Sequence, residues 1–303
     1  MGKEPIRHHY IPRFILRNFC FDEDRKYVYY FDKKTTKISQ RKIQDVFMVR
    51  NLYRDSISNP DDPTKIEKDL ACFESEVAPI ITDKFIKEDE ISLSFEEDDK
   101  LKLFFAIMAF RSKITSDKFG KRASDKCKEF YSFYQRNERL SDFWRRNLGY
   151  LVNCRSLREV LNHKEISEPM KIFFKRDTFG IFGLYFIVAE RRGPFEFIIS
   201  DVYPTVITGV TDNGFEHHLY SIFPISPDRI ILIASVGIEG APKSVVVFND
   251  EILKQPKVTR DNKSIKLRVK KIYENDVKYI NGFLVKEAYD GFAFRDKNEA
   301  VLP

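Results

Sequence analysis

Apolar residues between positions 66 and 81 recur every third or fourth place: Ile66, Leu70, Phe73, Val77, Ile80 and Ile81. A helix turns by about 100° per residue, so this spacing gathers them on one face. Just before them, Asn59-Pro60-Asp61-Asp62-Pro63-Thr64 is dense in turn formers, and Thr64 with Glu67 has the spacing of a capping box. A helix is predicted to start there, with a kink or an end at Pro79. The stretch Leu101–Phe110 is apolar nearly all round, as in a helix buried at the centre of a domain, and Arg111 ends it. From there to about Leu161 the composition stays helical, with Phe130, Tyr131 and Tyr134, then Leu140, Phe143 and Trp144, as apolar stripes.

Other segments have the period of a strand. Lys26–Phe31 is aromatic and β-branched, and Asp32–Lys37 reads as a turn before Ile38–Gln40, which makes a β-hairpin. From about Phe173 short apolar runs follow one another, at Ile181–Ala189, Phe195–Ser200, Val206–Thr208, Leu219–Phe223 and Arg229–Ala234. Gly, Asn or Pro separates them, as in an antiparallel sheet. Ser264–Lys271 alternates strictly, with Ile265, Leu267 and Val269 on one face and Lys266, Arg268 and Lys270 on the other. Val277, Ile280, Leu284, Val285 and Ala288 return to helical spacing and close the fold. The expected class is α+β, in a single domain over residues 1–303. An N-terminal motif and hairpin occupy 1–60, a mainly helical part 61–172, and an antiparallel sheet with its closing helix 173–303.

Composition narrows this picture. The 303 residues are 43% hydrophobic and include 28 Phe, enough for a large core. The longest apolar runs fall short of the roughly 20 residues that span a bilayer, so no membrane is expected. Residues 1–6 carry neither a secretory nor a myristoylation signal, and Cys20, Cys72, Cys127 and Cys154 form no C-x-x-C. A reducing cytoplasm suits such a chain. The net charge of +6 is unevenly spread. Residues 61–99 hold 14 acidic and 4 basic residues, whereas 113–158 hold 12 basic and 5 acidic, and 254–271 hold 8 basic and 1 acidic. Such blocks either bind a polyanion or neutralise one another in the fold.

Chemistry is most concentrated at the start, in Arg7-His8-His9-Tyr10-Ile11-Pro12-Arg13-Phe14-Ile15-Leu16-Arg17-Asn18-Phe19. Four of the five histidines sit in two adjacent pairs, His8-His9 and His217-His218. The opening segment resembles the signature of a bacterial family known as domain of unknown function 4238. Phe197–Pro204, with Ser200-Asp201, and Phe223–Pro227 resemble its two later hallmarks in the same order. Arg13 stands where the pattern has Gln, and Val202-Tyr203 where it has Asn or His directly before Pro. The resemblance spans nearly the whole chain and implies an association with anti-phage defence, seen for some members. No reaction is attached to the family.

Among these residues, His9 with Asp201 could act as an acid/base pair assisted by His8 and Tyr10. Asp201 with His217 or His218 could instead hold a divalent metal such as Mg²⁺ or Mn²⁺. A third reading makes His9 and Asp201 a hydrogen-bonded lock that ties the N-terminal segment to the sheet. There is no H-x-H, H-E-x-x-H, Walker loop, G-x-G-x-x-G or G-x-S-x-G. Ser200 and Ser226, each near a proline, read as turn residues. Glu67 and Glu74 fall on one flank of their helix and could bind a metal or share a proton, though a solvated helix edge is the preferred reading. Arg17, Arg111, Lys266, Arg268 and Lys270 are candidates for phosphate contact. Two functions follow: a nuclease or other nucleic-acid-processing effector, or a non-catalytic component that recognises RNA, DNA or a phage protein.

Overall fold

The computed structural model describes residues 6–120, 128, 138–168, 171, 184–210, 216–235, 260–261 and 264–300. The chain is α+β. Its first part contains β1 (Arg7–His9), α1 (Arg13–Leu16) running into a 3₁₀ turn (Arg17–Phe19), the hairpin β2 (Tyr27–Asp32) and β3 (Lys37–Lys42), and β4 (Met48–Arg50). Then come α2 (Lys65–Pro79), β5 (Glu90–Ser94), α3 (Phe95–Arg111), α4 (Lys113–Lys118), α5 (Leu140–Leu151) and α6 (Leu157–Asn162). The described strands of the second half are β6 (Leu184–Arg191), β7 (Ile199–Ser200), β8 (Thr205–Val210), β9 (Glu216–Pro224), β10 (Arg229–Ser235), β11 (Arg260–Asp261), β12 (Ser264–Arg268) and β13 (Lys270–Ile272). Helix α7 (Glu274–Glu287) and strand β14 (Gly291–Phe294) end the described chain. Phe130, Tyr131 and Tyr134 lie outside the described residues. No described helix is long and apolar enough to cross a membrane.

Helix α2 starts where the pattern predicts, but the capping box does not form. The Thr64 hydroxyl donates to Asp62 Oδ1 at 2.8 Å and caps nothing in the helix, which leaves Glu67 free to turn inward. The box appears instead at α3, where Ser94 and Glu97 exchange hydrogen bonds with each other's backbone. Pro79 neither ends nor breaks the helical path. Having no N–H to give, it is followed by a π-helical stretch, Ile80–Phe85, with Ile86 N–H donating to the Ile81 carbonyl at 3.0 Å.

The largest sheet has the order β13-β6-β10-β9-β8 and is antiparallel except for β13 beside β6. Its strands alternate between two cores. Phe186, Val188, Ile231 and Ile233 join the core of α3, where the Phe105 ring lies 5.8 Å from Phe186 and 4.2 Å from Phe223. Ile187, Ala189, Ile230 and Leu232 join the core of Val277, Ile280 and Leu284 on α7. Cover on both faces explains why these strands read as continuous apolar runs. The hairpin joins a second sheet, β3-β2-β14-β7, so the last strand closes onto the first part of the chain. β1 pairs with β4 in a two-stranded sheet of its own.

The alternating stretch 264–271 is not one strand. It changes sheets at Val269, whose N–H donates to the Asp89 carbonyl at 2.9 Å: β12 pairs with β5, and β13 with β6. Lys266 and Arg268 remain exposed on β12, whereas Lys270 is half-buried on the neighbouring sheet, so the three do not form one basic strand face. This switch also brings the acidic and basic blocks together. Arg268 lies opposite Glu90, and Asp89 takes ion pairs from Arg229 at 2.9 Å and Lys271 at 3.1 Å.

Candidate functional site

Adjacent residues of a strand point to opposite faces, and β1 sends its two histidines to different partners. His8 is fully buried: its Nδ1 accepts the Tyr53 N–H at 2.9 Å, and its ring stacks on the Tyr53 ring at 5.6 Å. His9 places Nε2 3.1 Å from the Ile43 carbonyl, which can only accept. Nε2 therefore carries the proton, and Nδ1 is left with the lone pair. Burial first, then the charges of Arg13 and Arg111, bring His9 down to about 4, so it is neutral at physiological pH.

Arg111 organises the space behind this strand. At 2% exposure its guanidinium donates from Nη1 to Glu74 and from Nη2 to the His9 carbonyl. Its Nε donates to the Tyr53 hydroxyl at 3.1 Å, and that hydroxyl donates back to the Arg111 carbonyl at 3.1 Å. The end of a buried helix, a strand of the opening segment and α2 are thus tied through one cation. Glu74 is not on a solvated edge, because it is the counter-ion of Arg111. Glu67 faces the same cluster. Burial is the main cause that pushes its carboxyl up to about 7, against the opposing pull of Arg111. Its Oε2 is buried and meets no hydrogen-bond donor among the described residues.

Asp201 has its hydrogen-bond partners in the turn before β14. Its Oδ1 accepts the Tyr289 N–H at 2.9 Å and its Oδ2 the Asp290 N–H at 2.6 Å, while its own N–H donates to the Gly291 carbonyl at 3.2 Å. Burial raises its carboxyl, and the backbone donors oppose the rise. Tyr10 is buried near Asp201, and burial holds its phenol well above the usual range. The opening segment therefore gives Arg111 the His9 carbonyl, sets the His9 ring against the Ile43 carbonyl and puts Tyr10 near Asp201. Asp201→Asn exchanges one acceptor oxygen for an NH₂ group facing a backbone N–H. A stability loss of about 1.5–3 kcal/mol is expected, measured by urea unfolding. A variant as stable as the parent would show that the turn does not depend on this carboxylate.

The remaining candidates divide by surroundings. Ser200 Oγ accepts the Val202 N–H at 3.2 Å, and Ser226 Oγ accepts the Asp228 and Arg229 N–H groups at 3.2 and 3.0 Å, so both are turn residues. His217 and His218 pair with Gly209 and Thr208 on β8, and their side chains lie outside the description. Among the described residues no three His, Cys, Asp or Glu side chains converge as metal ligands. Arg17 is exposed, as is Arg13 four positions before it on the same helical segment. Neither side chain makes a hydrogen bond or ion pair with the described residues. The partnership of Glu67, Glu74, Tyr53 and Arg111 was only half legible: helical spacing marked the two carboxylates, but nothing near Tyr53 in the sequence marks it.

A family model described as "Protein of unknown function (DUF4238)" matches residues 7–298, nearly the whole chain. The chain belongs to that family. No curated protein and no solved structure matches it. All the residues described above, from His8 to Asp290, fall within the family's span.

Proposed function

We propose that this family member is a nucleic-acid-processing effector of anti-phage defence. RNA or DNA is held by its phosphates on Arg13 and Arg17, and His9 serves as the proton acceptor. The observation that carries this reading is the pair of exposed, unpaired arginines one helical turn apart, next to a histidine kept neutral with its Nδ1 lone pair available. A phosphate anion beside His9 would offset the charges of Arg13 and Arg111 and raise its affinity for a proton. Arg111 serves in this reading as a fixed positive charge behind the strand, because three of its five N–H groups are held by Glu74, Tyr53 and the His9 carbonyl. The defence setting comes from the association of some family members.

A second reading has its own support: a non-catalytic sensor that recognises nucleic acid or a phage protein. His8, Asp201 and Ser226, all in signature segments, are engaged with backbone N–H groups, as structural locks would be. The deciding experiment incubates the purified chain with RNA, single-stranded DNA and duplex DNA, with and without Mg²⁺ or Mn²⁺. Cleavage that is lost in a folded His9→Ala variant is the expected result. In binding, the Arg13→Ala/Arg17→Ala pair should flatten the log–log salt dependence by roughly 1.4–1.8, the slope of two phosphate contacts. Salt-dependent binding without cleavage selects the sensor. If neither occurs, nucleic acid falls from both readings and a phage protein is left as the partner.

A further inference from the structure

We propose that the cavity between α2 and α5 is a nucleobase pocket that takes one unpaired base, of a free nucleotide or of single-stranded RNA or DNA. The proposal rests on the nucleic-acid reading only for the source of the base. The cavity holds about 300 Å³, the lower end of the range for small-ligand sites. Ile66 from α2, with Gly149 and Tyr150 from α5, gives it an apolar lining, and Asn59, Arg146 and Asn153 are among its polar groups. Through Ser58, Arg146 and Tyr150 it continues into a second cavity of about 560 Å³, which Arg139 also lines.

Three observations point to a planar, uncharged group with hydrogen-bonding edges. The first is Gly149, which lies inside α5, where glycine costs helix stability. Packing does not require it, because a Cβ there would meet Ile66 at 3.5 Å, an ordinary contact. What the missing side chain leaves open is the cavity. The second is a set of polar side chains fixed through one atom and unspent at another. Asn153 Nδ2 donates to the Gly149 carbonyl at 2.7 Å and to Asp69 at 3.1 Å, while its Oδ1 accepts from none of the described residues. Arg146 gives Nε and Nη2 to Glu138, which leaves Nη1 as its remaining donor group. A held acceptor and a held donor can read the edge of a base. The third is charge balance. Asp69 is paired with Lys65, Glu138 with Arg146, and Asp142 with Arg139 and Arg145. Paired charges give a bare phosphate little net attraction, so the uncharged part of a nucleotide suits the cavity better. Tyr150 supplies a ring for it. His163 lies 5.5 Å from that ring, which also lines both cavities, where a base can stack on it. A base in a duplex has its edge and faces already in use and must leave the stack to enter.

The probes are the monophosphates of adenosine, guanosine, cytidine and uridine, with ribose phosphate as the same molecule without its base. Affinities are measured by isothermal titration for the parent, Tyr150→Phe, Tyr150→Leu, Gly149→Leu and Gly282→Ala, each first shown by Trp144 fluorescence to be folded. At least one mononucleotide should bind the parent, and ribose phosphate should not. Tyr150→Phe keeps the ring and should keep the affinity, whereas Tyr150→Leu should lose about tenfold or more. Gly149→Leu fills the cavity and should abolish binding. Gly282→Ala changes a helix glycine that lines neither cavity, and should bind as the parent does. If Gly149→Leu does not fold, Tyr150→Leu decides. The pocket is overturned if the parent binds no mononucleotide, if ribose phosphate binds as tightly as the nucleotides, or if either folded leucine variant keeps the parent's affinity. Displacement of the mononucleotide by single-stranded RNA or DNA, and not by duplex DNA, supports the pocket and identifies a strand as the source of the base. A mononucleotide that binds as expected, with no nucleic acid bound or cleaved, keeps the pocket and removes the nucleic-acid reading. Nucleic-acid cleavage with no mononucleotide bound does the reverse.

Discussion

Arg111→Ala is expected to lower stability by about 3–5 kcal/mol, the cost of removing one partner from a buried, hydrogen-bonded ion pair. The guanidinium lies at 2% exposure and is the donor for Glu74, for the Tyr53 hydroxyl and for the His9 carbonyl. Its removal leaves Glu74 without its counter-ion and a strand carbonyl without a donor, inside a core where water does not replace them readily. The molecule carries its own reporter. Its single tryptophan, Trp144, is 1% exposed and donates its indole N–H to the Phe110 carbonyl at 3.0 Å, one residue before Arg111. Urea unfolding followed by Trp144 fluorescence should show the midpoint move far down. A midpoint within error of the parent's would mean that the cluster contributes no stability. Glu74→Gln should cost less in the Arg111→Ala background than alone, because the partner it serves is already gone.

This cluster also marks where the amino-acid pattern stops being readable. Spacing alone gives Ile66, Leu70, Phe73 and Val77 as the buried stripe of α2, and all four are buried. It gives the hairpin, the apolar helix to Phe110 and the apolar stripe of α7, because each is a local repeat that one segment carries by itself. Glu67 and Glu74 resist the same reading. On a helix flank a carboxylate is a solvated edge or a buried counter-ion according to what lies opposite, and Arg111 lies opposite although 37 residues separate it from Glu74. The split at Val269 is of the same kind: strict alternation is equally compatible with one strand or two. Only the acceptor at Asp89, far away in sequence, decides where the chain changes sheets. His9 and Asp201 are both chemically able and both lie in signature segments, which is all that pairs them in the sequence. In the fold each finds a carbonyl or backbone N–H partner elsewhere.

Gly291→Ala is expected to cost about 3 kcal/mol or more, for reasons of space rather than backbone conformation. A Cβ built on Gly291 would lie 2.1 Å from the Phe31 carbonyl oxygen and 2.6 Å from the Tyr30 hydroxyl. The first contact is with the backbone of β2, which is held between β3 and β14 and cannot swing aside as a flexible side chain would. Gly282 provides the control within the same molecule. It lies in the middle of α7 with nothing within 4 Å of its Cβ position, so Gly282→Ala should be neutral or stabilise by up to about 1 kcal/mol. A Gly291→Ala variant that unfolds with the parent would show that β14 can move away from β2 at little cost. The consequence reaches the signature aspartate, because the Gly291 carbonyl accepts the Asp201 N–H, and Asp201 in turn holds Tyr289 and Asp290. Asp201→Asn and Gly291→Ala therefore disturb one turn from its two sides, and their combined loss should fall short of the sum of the separate losses.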